Sequence, residues 1–238
     1  LTGWRSFMLY LGLFSILLAA GLYFFVKNPE KSENFDKGSF LDLLKIRQLW
    51  FILPLVLIHY APVAGIRGLW IGPYINDNFY SASNLAFATT AMSLAMIAGT
   101  FAYGPMDRIF RTRKWIIFIG SSVSLVTLIS LALFNEISFN VAVFLFCTLG
   151  FFGMSYPLMI AHGRSFSPEN LTGRCVTLLN MFAIGGVGIF QFLTGRIFSK
   201  LTEVHNNNHE AYTIIFLFYA SALFLGLILY LKSKDRLD

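Results

Sequence analysis

Arg67 is the side chain whose placement asks for a chemical reason. It lies within an apolar run, Trp50–Tyr74, and a guanidinium in the middle of hydrocarbon is unfavourable on insertion scales. Two arrangements remove that cost. Either the side chain faces a water-filled cavity and binds an anionic group, or it snorkels to the nearer end of the run, about two turns away. Tyr60, Arg67 and Tyr74 recur every seventh residue, so on an unbroken helix they share one face. His59 stands roughly 80° around that helix from Arg67. Asn180 and Gln191 sit inside another apolar run, Cys175–Phe198, and Ser155 and Tyr156 precede Pro157 in a third. Such groups can hold a small solute by hydrogen bonds and charge, and each can equally serve helix packing. No Ser/His/Asp arrangement, HExxH pair or Gly-rich phosphate loop ending in Lys-Ser/Thr occurs, so neither an enzyme nor ATP drive within this chain is indicated. His205 and His209, with Glu210, have a spacing metals use, but beside Asn206, Asn207 and Asn208 they read as a polar loop. No metal and no cofactor is expected.

The second concentration of chemistry is Tyr103–Lys114. One acid, Asp107, is followed by Arg108, Arg111, Arg113 and Lys114, and Gly104-Pro105 has the composition of a tight turn. A short positive loop between two apolar runs is an orientation signal.

The elements that carry these residues are seven apolar runs: Phe7–Val26, Trp50–Tyr74, Leu85–Tyr103, Trp115–Phe134, Val141–Ala161, Cys175–Phe198 and Tyr212–Leu231. Each approaches or exceeds the length of about 20 residues that spans hydrocarbon as a helix. With 56% hydrophobic and 13% charged residues, the chain lacks the polar surface of a soluble protein. Alternating ten-residue strands of a membrane barrel are absent from the pattern. The net charge of +6 is spread over short loops rather than gathered in one patch, which argues against a nucleic-acid partner. Loops Lys27–Leu49, Asp107–Lys114, His162–Arg174 and Lys232–Asp238 hold five, four, two and three bases, whereas the alternate connections hold Arg5 and Lys200 with Arg196 at a helix end. That asymmetry puts the C-terminus on the cytoplasmic side of a cell inner (plasma) membrane and makes the chain multi-pass. Within the long loop, Ser39 to Lys45 has the pattern of an amphipathic surface helix, with Ser39 as N-cap and Asp42 in its first turn. Cys147 and Cys175 lie in or beside apolar runs and read as buried free thiols.

The block Gly104-Pro105-Met106-Asp107-Arg108-Ile109-Phe110-Arg111 resembles the Gly-x-x-x-Asp-Arg-x-Gly-Arg-Arg loop of major facilitator superfamily transporters. Here the glycine is one residue nearer the acid, and Phe110 replaces the second glycine. Gly3-Trp4-Arg5 before the first run, Gly68–Tyr74 at the end of the second, and Pro168–Arg174 leading to Gly185, Gly186 and Gly188 are similar in order and spacing to the sixth, seventh and eleventh helices of that family. The resemblance covers nearly the whole chain.

It implies an all-α, polytopic membrane bundle: seven transmembrane helices of a 12-helix, two-half transporter. Residues 1–26 would be helix six, 27–49 the cytoplasmic loop between halves, and 50–238 the C-terminal six-helix half, completed by an N-terminal half not in this sequence. The implied function is secondary active transport of a small solute by alternating access. Arg67, His59, Tyr60, Asn180 and Gln191 would bind the solute, anionic if Arg67 meets it. Gly104, Asp107, Arg108, Arg111 and Arg113 would gate, Asp107 latching the start of helix five in the other half. Pro62 and Gly65 would bend the second span, and Gly185, Gly186 and Gly188 would pack the sixth. A proton or ion is the implied coupling partner; His59 is the one near-neutral titrating group near mid-span, and the favoured carrier is an acid in the other half. A non-transporting sensor or docking protein on the same fold is the alternative.

Overall fold

The computed structural model describes residues 3–26, 39–134, 137–205 and 208–237. Residues 27–38 of the expected inter-half loop therefore lie outside the described residues, as does the side chain of His205. The chain divides into two compact units, Leu1–Lys37 and Gly38–Asp238. The first holds one described helix, α1 (Trp4–Phe25). Among the described residues there is no strand, and seven stretches are long and apolar enough to cross a membrane. The chain is an all-helical, multi-pass membrane protein.

The second unit opens with α2 (Phe40–Leu43), a single turn rather than the longer surface helix expected from Ser39 to Lys45. Its start is as predicted: the Ser39 hydroxyl accepts from the Leu41 amide at 3.3 Å, and the Asp42 carboxylate accepts from the Ser39 amide at 2.7 Å. A span then runs Arg47–Phe79 in four pieces: α3 (Arg47–His59), α4 (Ala61–Gly65), a π-helical turn (Ile66–Trp70) and α5 (Ile71–Phe79). Next come α6 (Ala82–Phe110), α7 (Lys114–Leu133), and a second interrupted span made of α8 (Phe139–Gly153) and α9 (Tyr156–Arg164). A short 3₁₀ turn (Glu169–Leu171) leads into α10 (Thr172–His205), and α11 (Asn208–Tyr230) closes the unit.

Both interruptions follow from proline. Pro62 lacks the amide that would bond Ile58, and Pro157 lacks the one that would bond Gly153; the chain breaks at Tyr60 and at Met154-Ser155. Each proline is then the second residue of the following helix, where a missing amide costs nothing. Pro54 leaves α3 continuous. Pro105 does not end α6 either: that helix passes through Gly104 and Pro105 to Phe110, and stops where Arg111 takes the left-handed conformation (φ 51°). The expected turn at Gly104-Pro105 is thus helix.

α3 packs against α9, α10 and α11, and α6 against α8, and the first interrupted span is the more buried of the two. Close approach at α3–α10 is set by Gly186, where an added Cβ would stand 1.8 Å from the Leu57 carbonyl oxygen. Gly185 and Gly188 are exposed and an added Cβ meets nothing within 4 Å, so the expected packing role belongs to Gly186 alone within this unit. Gly65 gives room to the Tyr219 hydroxyl, 2.2 Å from where a Cβ would sit. Overpacking of a filled interior costs about 1–3 kcal/mol or more. Gly186→Val should therefore lower the thermal unfolding midpoint of the detergent-solubilised protein, and Gly185→Val should leave it near wild type. Equal effects of the two would refute this assignment.

Candidate functional site

The two interruptions meet. His59, the last residue of α3, is buried, with Nε2 2.9 Å from the Ser155 hydroxyl and Nδ1 3.0 Å from the Ser121 hydroxyl of α7. Tyr60 stacks on Tyr156, ring centroids 5.1 Å apart. Val63 of α4 fills the space a side chain on Gly153 would occupy, 2.0 Å from the built Cβ. The two breaks are thus joined by a hydrogen bond, a ring stack and a close apolar contact.

His59 is placed differently from its expected solute-binding role. Both ring nitrogens have hydroxyl partners, which satisfies either neutral tautomer, and the ring is 1% exposed. The Ser–His contacts have the elements of an activated nucleophile, yet Ser121 and Ser155 are fully buried, leaving no room for a reactant. His59 is a tie between three spans.

Other polar groups near that tie or farther along its spans reach an open surface. Tyr60 and Tyr156 are half-buried, and the Tyr156 hydroxyl donates to the Asn180 side-chain oxygen of α10. Asn180 in turn donates to the Val176 carbonyl at 3.0 Å. Farther along the second span, Arg67 is exposed and donates from Nε to the Ser93 hydroxyl of α6 at 3.0 Å. Gln191 of α10 lies against the same segment, its Nε2 3.7 Å from a Cβ built on Gly68. Of the expected solute-binding residues, Asn180 lies at the Tyr156 hydroxyl beside Tyr60, whereas Arg67 and Gln191 lie farther along the second span. The expected shared face of Tyr60, Arg67 and Tyr74 does not form. The π-helical turn, with Ile71 donating to Ile66, adds a residue to the repeat. Tyr74 is rotated into the core, edge-on to Phe146, Tyr212 and Phe216. The Trp70 indole fixes the turn by donating to Thr194 of α10 at 3.1 Å.

The arginine-rich loop forms a second site at one end of the unit, here called the basic end. Asp107 lies in the last turn of α6, not at a helix start, and its partner is Arg113, at 3.0 Å with both side chains largely buried. Asp107, expected to latch the start of helix five in another half, is paired within this unit with Arg113, and Arg108 and Arg111 are exposed. The reason is the left-handed Arg111, which turns the chain back so that Arg113 returns over the acid. Sequence reading missed the residue that completes this end. Asp235, beyond the last span, accepts from the Thr112 hydroxyl and from the Arg113 and Lys114 amides at 3.1 and 3.0 Å, capping α7. Lys114 Nζ reciprocates on the Leu231 and Ser233 carbonyls at 2.7 and 2.6 Å. His162 of α9 adds a contact of Nε2 with the Lys234 carbonyl at 2.9 Å. An acid between Lys234 and Arg236 carries no periodic signal that could have announced a cap.

Among the described residues no group of three His, Cys, Asp or Glu is placed to hold a metal, and Cys147 and Cys175 are free thiols. No protein-family model matches this sequence, and no curated protein matches it.

Burial alone would raise the Asp235 carboxyl. Hydrogen bonds from Thr112 and from the Lys114 and Arg113 amides, with the nearby His162 ring, outweigh it and hold the group below the ordinary carboxylate value. A depressed carboxylate contributes stability that is full above its unfolded value, near 4, and is lost as pH falls through the folded value. Asp235→Asn should cost about 1 kcal/mol as a lost cap at neutral pH. The gap in unfolding midpoint between wild type and variant should close as pH is lowered below about 4. A gap that stays constant down to acid pH would contradict this role.

Proposed function

We propose that this chain is a secondary transporter component: helix six and the C-terminal half of a major facilitator superfamily transporter, moving a small solute by alternating access. The observation that carries the reading is the meeting of two interrupted spans at His59–Ser155 and Tyr60–Tyr156. Interrupted helices at corresponding positions of two repeats are the recurrent device of transporters at mid-membrane. Here the breaks open the first and fourth spans of the six in the second unit, as two three-helix repeats require. Helices broken at a shared, tied point can bend on either side of it while the tie holds.

On this reading the solute sits beside the tie. Tyr60, Tyr156 and Asn180 offer it hydroxyl and amide groups, and Arg67, about 10 Å along the span, supplies charge for an anionic solute. Ser93 holds the guanidinium in place and leaves its terminal nitrogens for the solute. The residues of the basic end face the cytoplasm by the excess of Lys and Arg in the loops there. A second six-helix half would close the cavity from the opposite side, and a coupling ion would be bound there rather than at the enclosed His59.

Accessibility tests this without knowledge of the solute. In full-length protein with Cys147 and Cys175 replaced by serine, a cysteine at Asn180 should react with a membrane-impermeant maleimide from either side of sealed, oriented vesicles. Cross-linking one side closed should abolish labelling from that side only. Labelling from one side alone under every condition would favour a non-transporting sensor on this fold and end the transport reading.

A further inference from the structure

At the basic end a cleft of 840 Å³ opens between α6 and α9. Its walls are two helical stripes. Thr100, Gly104 and Arg108 repeat at four-residue steps along α6, with Arg111 just past its end, and Pro157, Ala161 and Arg164 repeat at four- and three-residue steps along α9. Gly104 keeps its wall recessed, since an added Cβ there meets nothing within 4 Å. Leu237, at the end of the tail that Asp235 anchors, lines the cleft as well.

Among the described residues, guanidiniums from Arg108, Arg111, Arg113 and Arg164 line this space together with the Asp107 carboxylate. That carboxylate is already committed to Arg113. Part of the positive charge offsets the carbonyl ends of α6 and α9. Among the described residues, no carboxylate pairs with Arg108 or Arg111. Planar forks of donors along one cleft suit a tetrahedral oxyanion, which can accept two bonds from a guanidinium. The flank of α6 beside the cleft carries exposed Phe101, Ile109 and Phe110, an apolar surface along which acyl chains can lie.

We propose that the α6–α9 cleft is a binding site for a phosphate-bearing anion, with Arg108 and Arg111 as the recognising groups and Arg113, held by Asp107, as the fixed wall behind them. Two sources share this chemistry, the headgroup of an anionic phospholipid and a soluble phosphate. The cleft shares α9 with the second interrupted span and its arginines with the loop to which the resemblance gives gating, but its test reads anion binding and not transport, so the failure of either reading is distinguishable from the failure of the other.

The test uses the full chain and measures retained lipid by native mass spectrometry and the unfolding midpoint in parallel. The probes are phosphatidic acid in phosphatidylcholine nanodiscs, phosphatidylcholine alone, and inorganic phosphate added to the detergent-solubilised protein. Wild type should retain phosphatidic acid over phosphatidylcholine, and Arg108→Ala with Arg111→Ala should weaken that retention about tenfold or more. Displacement of the lipid by inorganic phosphate marks the headgroup as the ligand. Stabilisation by inorganic phosphate without lipid selectivity marks a soluble phosphate, and either result supports the site. Should the alanine pair fail to fold, Arg108→Lys with Arg111→Lys keeps the charge and loses the forks, and should still bind more weakly. Binding of neither probe by wild type, as when a covering polypeptide fills the cleft, overturns the proposal. So does undiminished binding by the lysine or alanine pair.

Discussion

Everything in the larger unit depends on how two broken helices are made tolerable in hydrocarbon. A backbone group freed by a break has no water to turn to there, so a partner must be supplied within the protein. At the first break the Tyr60 amide closes on the Ile58 carbonyl, and at the second Met154 and Ser155 close on Phe151 and Phe152 at 3.2 and 3.4 Å. His59 then bridges the breaks through Ser155 and binds them to α7 through Ser121. A buried polar tie of this kind is strong when complete and costly when half-made. It therefore fixes the register of three spans at one depth, and the groups on the open side, Tyr60, Tyr156 and Asn180, inherit their positions from it.

The two ends of the unit are held by different means. At the basic end, charge does the work: Asp107 with Arg113, Asp235 on the start of α7, and Lys114 on the end of α11 close the ladder of helix termini against one another. At the opposite end the Asp77 carboxylate accepts from Tyr212 and Asn208 at 2.7 and 2.8 Å, joining α5 to α11. The span between these anchors contains the π-helical turn, held by Trp70 on Thr194, with Gly68 within it and Gly72 just after it. A segment with looser helical bonding between two pinned ends is where bending concentrates.

The seven spans were legible because length and hydropathy decide what crosses a bilayer, and the breaks were legible in part because proline removes a specific amide. Pro62 announced a bend, and Ser39 with Asp42 announced the start of α2. The π-helical turn was not legible: nothing in Ile66–Trp70 distinguishes one extra residue per turn from an ordinary helix, and so Tyr74 was assigned to the wrong face. The Asp107–Arg113 pair was hidden for a related reason. It depends on Arg111 adopting a left-handed conformation that residue type does not favour. His59 read as a lone ionisable group near mid-span because its two serines stand 62 and 96 residues away in sequence. Gly185, Gly186 and Gly188 look alike in a sequence, yet only the one facing Leu57 is constrained.

The central claim is that the interrupted spans bend about a junction that stays closed. Its most direct measure is the distance between spin labels at Asn78, near the end of α5, and Ser138, before α8, in the full-length protein in nanodiscs. Two distance populations are expected, exchanging weight when one side of the protein is locked closed by cross-linking. A single narrow distribution that no such lock alters would contradict the account.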